Sequence, residues 1–394
     1  MYVPGTAVTG AVDLAEAVVA DIRRGRLAPG ECLPGTRQLG GWVGLHRNTV
    51  VRAYADLRAQ GWVETRPGGG TFVLAAPVGP SRAESTVGTA GFTLPTARVA
   101  GREPREARFR LVAGQPDLRL LPLDALGRAL RRVLRGRGRR LVDYGDPAGL
   151  PRFRRSLAAW LEATRGLPGG PEDVVVTRGA QQALFLAAQV LFRPGDRVGV
   201  EALGYGPAWD ALRLAGAVPV PLPIDEDGLV VDEVAARPDL KGVYVTPHHQ
   251  YPTGALLSAT RREQLLALAR DRRFPILEDD YDHELHWEGR PLVPLAGRDR
   301  HGVVVYIGTL SKAFAPGLRI GWLRGPRPFL ARVADVRRAV DRQGDAPLEA
   351  ALAELLDDGE IGRHVRRMRR VYEERRTVVL DGLAAHLGDL AVGR

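Results

Sequence analysis

The chain has 394 residues, more than one ordinary core accommodates, so two or more domains are expected. A content of 45% hydrophobic and 26% charged residues is that of a globular protein, and no apolar run approaches the roughly 20 residues that span a bilayer. The net charge of +10 suits a polyanionic partner such as nucleic acid, although a GC-rich genome gives the same arginine bias.

The start, Met1 to Asp13, lacks a basic segment followed by an apolar one, so no secretion signal is expected. The sole cysteine, Cys32, cannot form an internal disulfide, which suits a reducing cytoplasm. Residues 11–24 have helical spacing at Val12, Ala15, Val19 and Ile22. A second helix, capped by Thr36, is expected through Val43, weakened by Gly40 and Gly41. A third opens at Asn48 or Thr49 and runs to Gln60, with Val50, Ala53, Tyr54 and Leu57 on one face. Residues 62–66 and 71–74 read as strands around the turn Pro67-Gly68-Gly69-Gly70. Three helices and a hairpin predict a winged helix-turn-helix over residues 1–76, an α+β unit.

Residues 77–108 read as a flexible linker, because residues 75–108 are rich in small, polar and proline residues without a sustained period. Beyond it, strands at 174–177, 197–200, 218–220, 242–246, 275–279 and 303–308 alternate with helices. That alternation predicts an α/β domain, residues 109–394, around a mostly parallel sheet. The strand at 303–308 is the last clear one; the stretches 363–376 and 378–387 read as the start of a further small part.

Only two of the 56 basic residues are lysines, Lys241 and Lys312. Arginine replaces lysine in surface ion pairs but cannot supply a nucleophilic amine, so a lysine that persists is a candidate for chemistry.

In the head, Leu33-Pro34-Gly35-Thr36-Arg37-Gln38-Leu39, then His46 to Tyr54, then Gly61 to Val73 resemble the GntR family of winged-helix regulators in order and spacing. A recognition helix needs polar side chains in its first turn to reach base edges, and Arg47, Asn48, Thr49 and Arg52 stand there. Arg37 is expected on the backbone or an adjacent base, and the wing tip at Gly69 lets main chain approach DNA closely. Residues 1–76 hold 8 arginines against 6 acidic residues, whereas residues 128–165 hold 11 against 3. Arg128–Arg140 is therefore a candidate for additional phosphate contacts.

Thr309-Leu310-Ser311-Lys312, followed by Ala313 to Trp322, is similar to the cofactor-lysine motif of fold-type I aminotransferases. Glu278-Asp279-Asp280-Tyr281-Asp282, Val176 to Leu184, and Tyr144 to Arg154 resemble three further motifs of that group in the expected order. With the GntR-type head, the chain resembles the MocR-type regulators along essentially its whole length. The resemblance implies pyridoxal 5'-phosphate, with Lys312 supplying the Schiff-base amine. It implies Asp279 as the carboxylate beside the pyridine nitrogen, with Asp280 the rival, and Tyr281 on the ring's phenolic oxygen. Tyr205 is implied as the stacking aromatic, and Gly179, Ala180, Gln181, Thr309 and Arg319 as the phosphate cup. No metal ligand is assigned.

The sequence departs from that group in places. Ala180 stands where a hydroxyl is common, and Tyr251 where aminotransferases carry an asparagine before Pro252-Thr253-Gly254. No arginine is assigned to a substrate carboxylate, and the small-domain part is read as incomplete at Arg394. The expected function is a transcription regulator sensing pyridoxal phosphate, or an amine or amino acid reacting with it. The expected partners are operator half-sites and a second copy of the chain in a homodimer, with no membrane. The alternatives are a working aminotransferase with a DNA-binding appendage, and a DNA-binding module whose rear domain only dimerises.

Overall fold

The computed structural model describes residues 3–4, 8–74, 93, 114–286 and 292–387. The expected linker, 77–108, lies outside them apart from Thr93. The chain divides into two compact units, Met1–Thr96 and Ala97–Arg394.

The first unit contains α1 (Ala11–Arg23), β1 (Cys32–Leu33), α2 (Thr36–Val43), α3 (Arg47–Ala59), β2 (Val63–Arg66) and β3 (Gly70–Val73). Its buried stripe differs from the expected one. Leu14, Ala15, Val18 and Ile22 of α1 face the core, while Val12 is 63% exposed. The segment carries apolar residues on more than one side, and packing against α3 selects among them. Helix α3 opens at Arg47, capped by the His46 ring, which accepts from the Asn48 amide at 3.3 Å. Thr36 is the first residue of α2, with Gly35 in the cap position. Gly40 has a steric role: a Cβ there would lie 2.8 Å from the Leu45 carbonyl oxygen, inside the turn that joins α2 to α3. The Tyr54 hydroxyl donates to the Pro34 carbonyl at 2.9 Å and ties α3 to the entry of α2. The hairpin β2–β3 gains a third strand, β1, which the sequence reading lacks.

The second unit runs α4 (Leu123–Leu141), α5 (Pro151–Arg165), β4 (Val174–Thr177), α6 (Gly179–Leu191), β5 (Arg197–Glu201), α7 (Gly206–Leu214) and β6 (Val218–Leu222). A small ribbon follows, β7 (Ile224–Asp225) and β8 (Gly228–Leu229), then α8 (Val231–Ala235), β9 (Leu240–Val245), α9 (Ala259–Arg272) and β10 (Ile276–Asp280). The remaining elements are α10 (Leu295–Arg298), β11 (Val304–Thr309), β12 (Gly321–Arg324), α11 (Arg327–Val340), α12 (Ala346–Asp357) and α13 (Glu360–Leu387).

Seven strands form one sheet in the order β4-β12-β11-β10-β9-β5-β6. All pairings are parallel except those of β12, which runs antiparallel to both neighbours. This strand corrects the reading that 303–308 is the last: Trp322 is fully buried within it, against the edge of Trp160. Helices α6, α7 and α11 share a core with one face of the sheet, and α4, α5, α9 and α12 pack on the other. The two C-terminal stretches form one continuous helix, α13. No described helix is long and apolar enough to cross a membrane.

Candidate cofactor and DNA-reading sites

Parallel strands of an open α/β sheet gather their following loops at one edge, where ligands bind. Here β4 leads to the start of α6, β5 to Tyr205, β9 to His248–Tyr251, β10 to Asp279 and Asp280, and β11 to Lys312. A cavity of about 800 Å³ opens there, lined among others by Gly114, His249, Tyr251, Tyr281, Lys312 and Arg376.

Lys312 is half-buried. Burial draws its ammonium below the ordinary lysine value, opposed by the charges of Asp279 and Asp282. A Cβ added to Gly114 would sit 3.2 Å from Lys312 Nζ, so that glycine gives the amine its room. The sequence reading missed Gly114; its turn, Gly114-Gln115-Pro116, was the available signal.

Successive residues of a strand point to opposite faces, so Asp279 and Asp280 part company. Asp279 lies on the face of α6 with Tyr244, whose hydroxyl donates to Oδ2 at 2.8 Å. Its other oxygen, Oδ1, is buried with no hydrogen-bond partner among the described residues. Burial pushes this carboxyl up to about 7; the Tyr244 bond opposes that, and the charges of Asp280, Asp282 and Glu201 add to it. Asp280 occupies the other face. Its Oδ2 accepts from the Tyr306 hydroxyl at 2.6 Å, and Arg165, paired with Glu284, also donates to Tyr306. Burial would raise Asp280, but His248, His283 and Arg165 outweigh it and hold the carboxyl well below its usual range.

Three tyrosines meet at the mouth. Tyr251 stands edge-on to Tyr205 at 5.9 Å between ring centroids and to Tyr281 at 6.4 Å. The Tyr281 hydroxyl donates to the His249 carbonyl at 3.1 Å. Tyr205 lies within the fields of Asp279 and Arg319; burial raises its hydroxyl, Asp279 adds to this, and Arg319 opposes it.

Among the described residues no side chain caps α6, and every helix start leaves its first N–H groups without intrahelical acceptors. Gly179 opens it at φ 75°, a left-handed conformation, with the Arg319 guanidinium 2.9 Å from where a Cβ would stand. Arg319 donates to the Arg178 carbonyl at 3.0 Å. Gln181 turns away to donate to the Pro207 carbonyl at 2.7 Å. The Thr309 hydroxyl is engaged within its own loop, with Ile320 O and Ser311 Oγ each at 2.9 Å. A bare buried carboxylate oxygen, an amine eased toward neutrality and an uncapped helix start together fit pyridoxal phosphate.

In the first unit, Arg37, Arg47, Asn48, Arg52 and Gly69 are exposed and Thr49 is half-exposed. On α4, Arg128, Arg131, Arg135, Arg139 and Arg140 are also exposed, while Arg132 pairs with Glu354 at 2.9 Å.

Comparison with known proteins matches residues 11–73 to the bacterial regulatory proteins of the gntR family and residues 109–393 to aminotransferase class I and II. The probable rhizopine catabolism regulatory protein MocR of Rhizobium meliloti is 36% identical over 385 residues, covering 95% of this chain and 77% of that one. The chain belongs to the MocR-type GntR regulators. Another relative of this MocR-type chain, the pyridoxine biosynthesis transcriptional regulator PdxR of Corynebacterium glutamicum, is 33% identical, covering 96% of this chain and 78% of that one. Among solved structures, LysN, the alpha-aminoadipate aminotransferase of Thermus thermophilus, complexed with N-(5'-phosphopyridoxyl)-L-leucine, superposes with a TM-score of 0.64. It is 30% identical, covering 69% of this chain and 70% of that one. This MocR-type chain is thus a transcription regulator with a DNA-binding head and a fold-type I aminotransferase-like domain, and its cofactor is pyridoxal 5'-phosphate.

Proposed function

We propose that the aminotransferase-like domain holds pyridoxal phosphate at Lys312 and that its state, or that of an amine exchanging there, governs DNA binding by the head. The observation that carries this reading is Asp279 Oδ1, a buried acceptor without a donor among the described residues, on the Lys312 side of β10. A carboxylate so placed is ready to pair with a protonated ring nitrogen. Burial lowers the Lys312 ammonium from its ordinary value, which raises the share of neutral, nucleophilic amine. Tyr205 offers a ring face, Tyr281 a hydroxyl for the phenolic oxygen, and the N–H groups of Gly179, Ala180 and Gln181 a cradle for the phosphate. Arg319 adds charge to that cradle and Thr309 braces its loop. When bound, pyridoxal phosphate supplies an aldehyde that condenses reversibly with primary amines and a ring that withdraws electrons.

At the other end Arg47, Asn48, Thr49 and Arg52 read the major groove, with Arg37 and the wing at Gly69 on the flanking backbone. The reading assigns residues 1–76 to the head, 77–108 to a flexible linker and 109–394 to the sensing domain. It also takes the protein to be a cytoplasmic homodimer that brings two heads to paired half-sites, and an effector then favours one arrangement of the heads.

The test is the visible absorbance of the purified chain with pyridoxal phosphate, beside Lys312→Ala. Absorbance that vanishes in the variant, and an operator affinity that changes on adding an amine, support the sensor. Steady release of keto acid from amino acids would instead favour an aminotransferase. A colourless protein that still binds DNA would overturn the sensor reading.

A further inference from the structure

The end of β10 and the loops after β9 and β10 hold a second polar cluster that the cofactor reading does not use. His248, Asp280 and His283 are buried, at 3%, 1% and 6% exposure, on the face of β10 opposite Asp279. Each offers a ligand atom, and the three atoms lie within 4.8 Å of one another.

The hydrogen-bond pattern around them is incomplete in a specific way. His248 Nε2 lies 2.5 Å from the Leu292 carbonyl oxygen. A carbonyl only accepts, so Nε2 carries the hydrogen and Nδ1 presents a lone pair. That lone pair faces Asp280 Oδ1 at 3.4 Å, acceptor toward acceptor. Neither atom has a hydrogen-bond partner among the described residues. His283 closes the group: its Nδ1 is 3.0 Å from Asp280 Oδ2, yet neither ring nitrogen makes a well-formed hydrogen bond there.

Acceptors held together away from water need a proton or a metal ion between them. The spacing suits a metal, since two donors each about 2.1 Å from a tetrahedral zinc ion stand about 3.4 Å apart. Two imidazoles and one carboxylate favour a borderline transition metal over the oxygen-seeking magnesium or calcium. The surrounding contacts match those that orient metal ligands: Leu292 O fixes the His248 ring, and Tyr306 donates to Asp280 Oδ2 at 2.6 Å. We infer that His248, Asp280 and His283 form a binding site for a divalent transition-metal ion of the zinc type, across β10 from the cofactor carboxylate.

The experiment uses the full chain, stripped with a chelator and without added pyridoxal phosphate. Zinc uptake is measured by titration calorimetry and metal analysis, and cobalt uptake by its visible ligand-field bands. The wild type should take up one equivalent with tetrahedral cobalt bands and gain thermal stability with zinc but not with magnesium. His248→Gln and His283→Gln should each lose the uptake, the bands and the zinc-dependent stabilisation, whereas His301→Gln, at an exposed position, should retain all three. No uptake by the wild type, or uptake unchanged in both ligand variants, overturns the site. Should a ligand variant fail to fold, the wild-type cobalt spectrum decides: octahedral bands or none refute the inference. These readouts are independent of cofactor binding, so failure here leaves the Lys312 reading untouched, and the reverse holds too.

Discussion

On one face of β10, Asp279 accepts from the Tyr244 hydroxyl at 2.8 Å, and its Oδ1 has no partner among the described residues. On the other, Asp280 sits amid Tyr306, Arg165, His248 and His283, and its carboxyl is held far below its usual range. The two residues are chain neighbours, equally buried, and chemically identical. What separates them is the company each face supplies. Asp280, with the buried Arg165 guanidinium behind it and two imidazoles beside it, is tied into the folded structure, whereas Asp279, held up to about 7 on the Lys312 side, is the carboxyl available to a cofactor.

The largest expected effect breaks the structural side of that contrast. Asp280→Ala leaves the buried Arg165 and its neighbours short of a counter-charge, and removing one partner of such a network costs about 3–5 kcal/mol. Denaturant unfolding in the presence of a chelator measures it; a loss near zero would mean that Glu284 alone satisfies Arg165.

A third buried carboxyl sharpens the comparison through pH. Glu349 is 1% exposed, accepts from the Leu150 amide, and is pushed up to about 7 by burial, against the pull of that bond and of Arg337. Its folded value lies above its unfolded one, so the folded state binds the extra proton. The stabilisation from that proton is full below about pH 4.5 and is lost as pH rises through about 7, amounting to about 3 kcal/mol. Glu349→Gln should flatten the stability–pH curve by that share between these limits. A curve with unchanged slope would show that Glu349 titrates normally.

Asp279→Asn tests the ligand side. The amide oxygen still accepts from Tyr244, so unfolding free energy should shift by no more than about 1 kcal/mol. Affinity for pyridoxal phosphate should fall by about 10–100-fold, the worth of one hydrogen bond to a charged group. Equal affinity in a spectroscopic titration would remove Asp279 from the cofactor.

Much of this is legible in the sequence, and the parts that are not share a cause. Lys312, Asp279 and the α6 turn each lie in short local motifs, and the GntR-type pieces span one continuous stretch. Strand alternation already implies that Asp279 and Asp280 face opposite ways, but not which face receives a cofactor. That depends on α6 packing on the Asp279 side, a long-range fact. Tyr244, Tyr306 and Arg165 come from β9, β11 and α5, and nothing near them in sequence marks them as partners. Strand β12 was missed because Gly321–Arg324 is short and set apart only by pairing between β4 and β11. In α1, Val12 and Leu14 were equally apolar candidates, and only the packed core distinguishes them.

The finest comparison puts both faces in one experiment. Tyr244 and Tyr306 donate to adjacent aspartates, at 2.8 and 2.6 Å, from strands on either side of β10. Replacing either by phenylalanine deletes one hydroxyl and little else. Tyr306→Phe removes a donor from a carboxylate inside a charged network, so it should cost about 1–3 kcal/mol of stability and leave cofactor affinity alone. Tyr244→Phe frees Asp279 to turn, which should weaken cofactor binding by about 3–10-fold, near 1 kcal/mol, with a smaller stability loss. The crossing of the two results is the point. Two variants that lose stability and affinity in the same proportion would mean that β10 transmits both effects, and that the division between its faces is not functional.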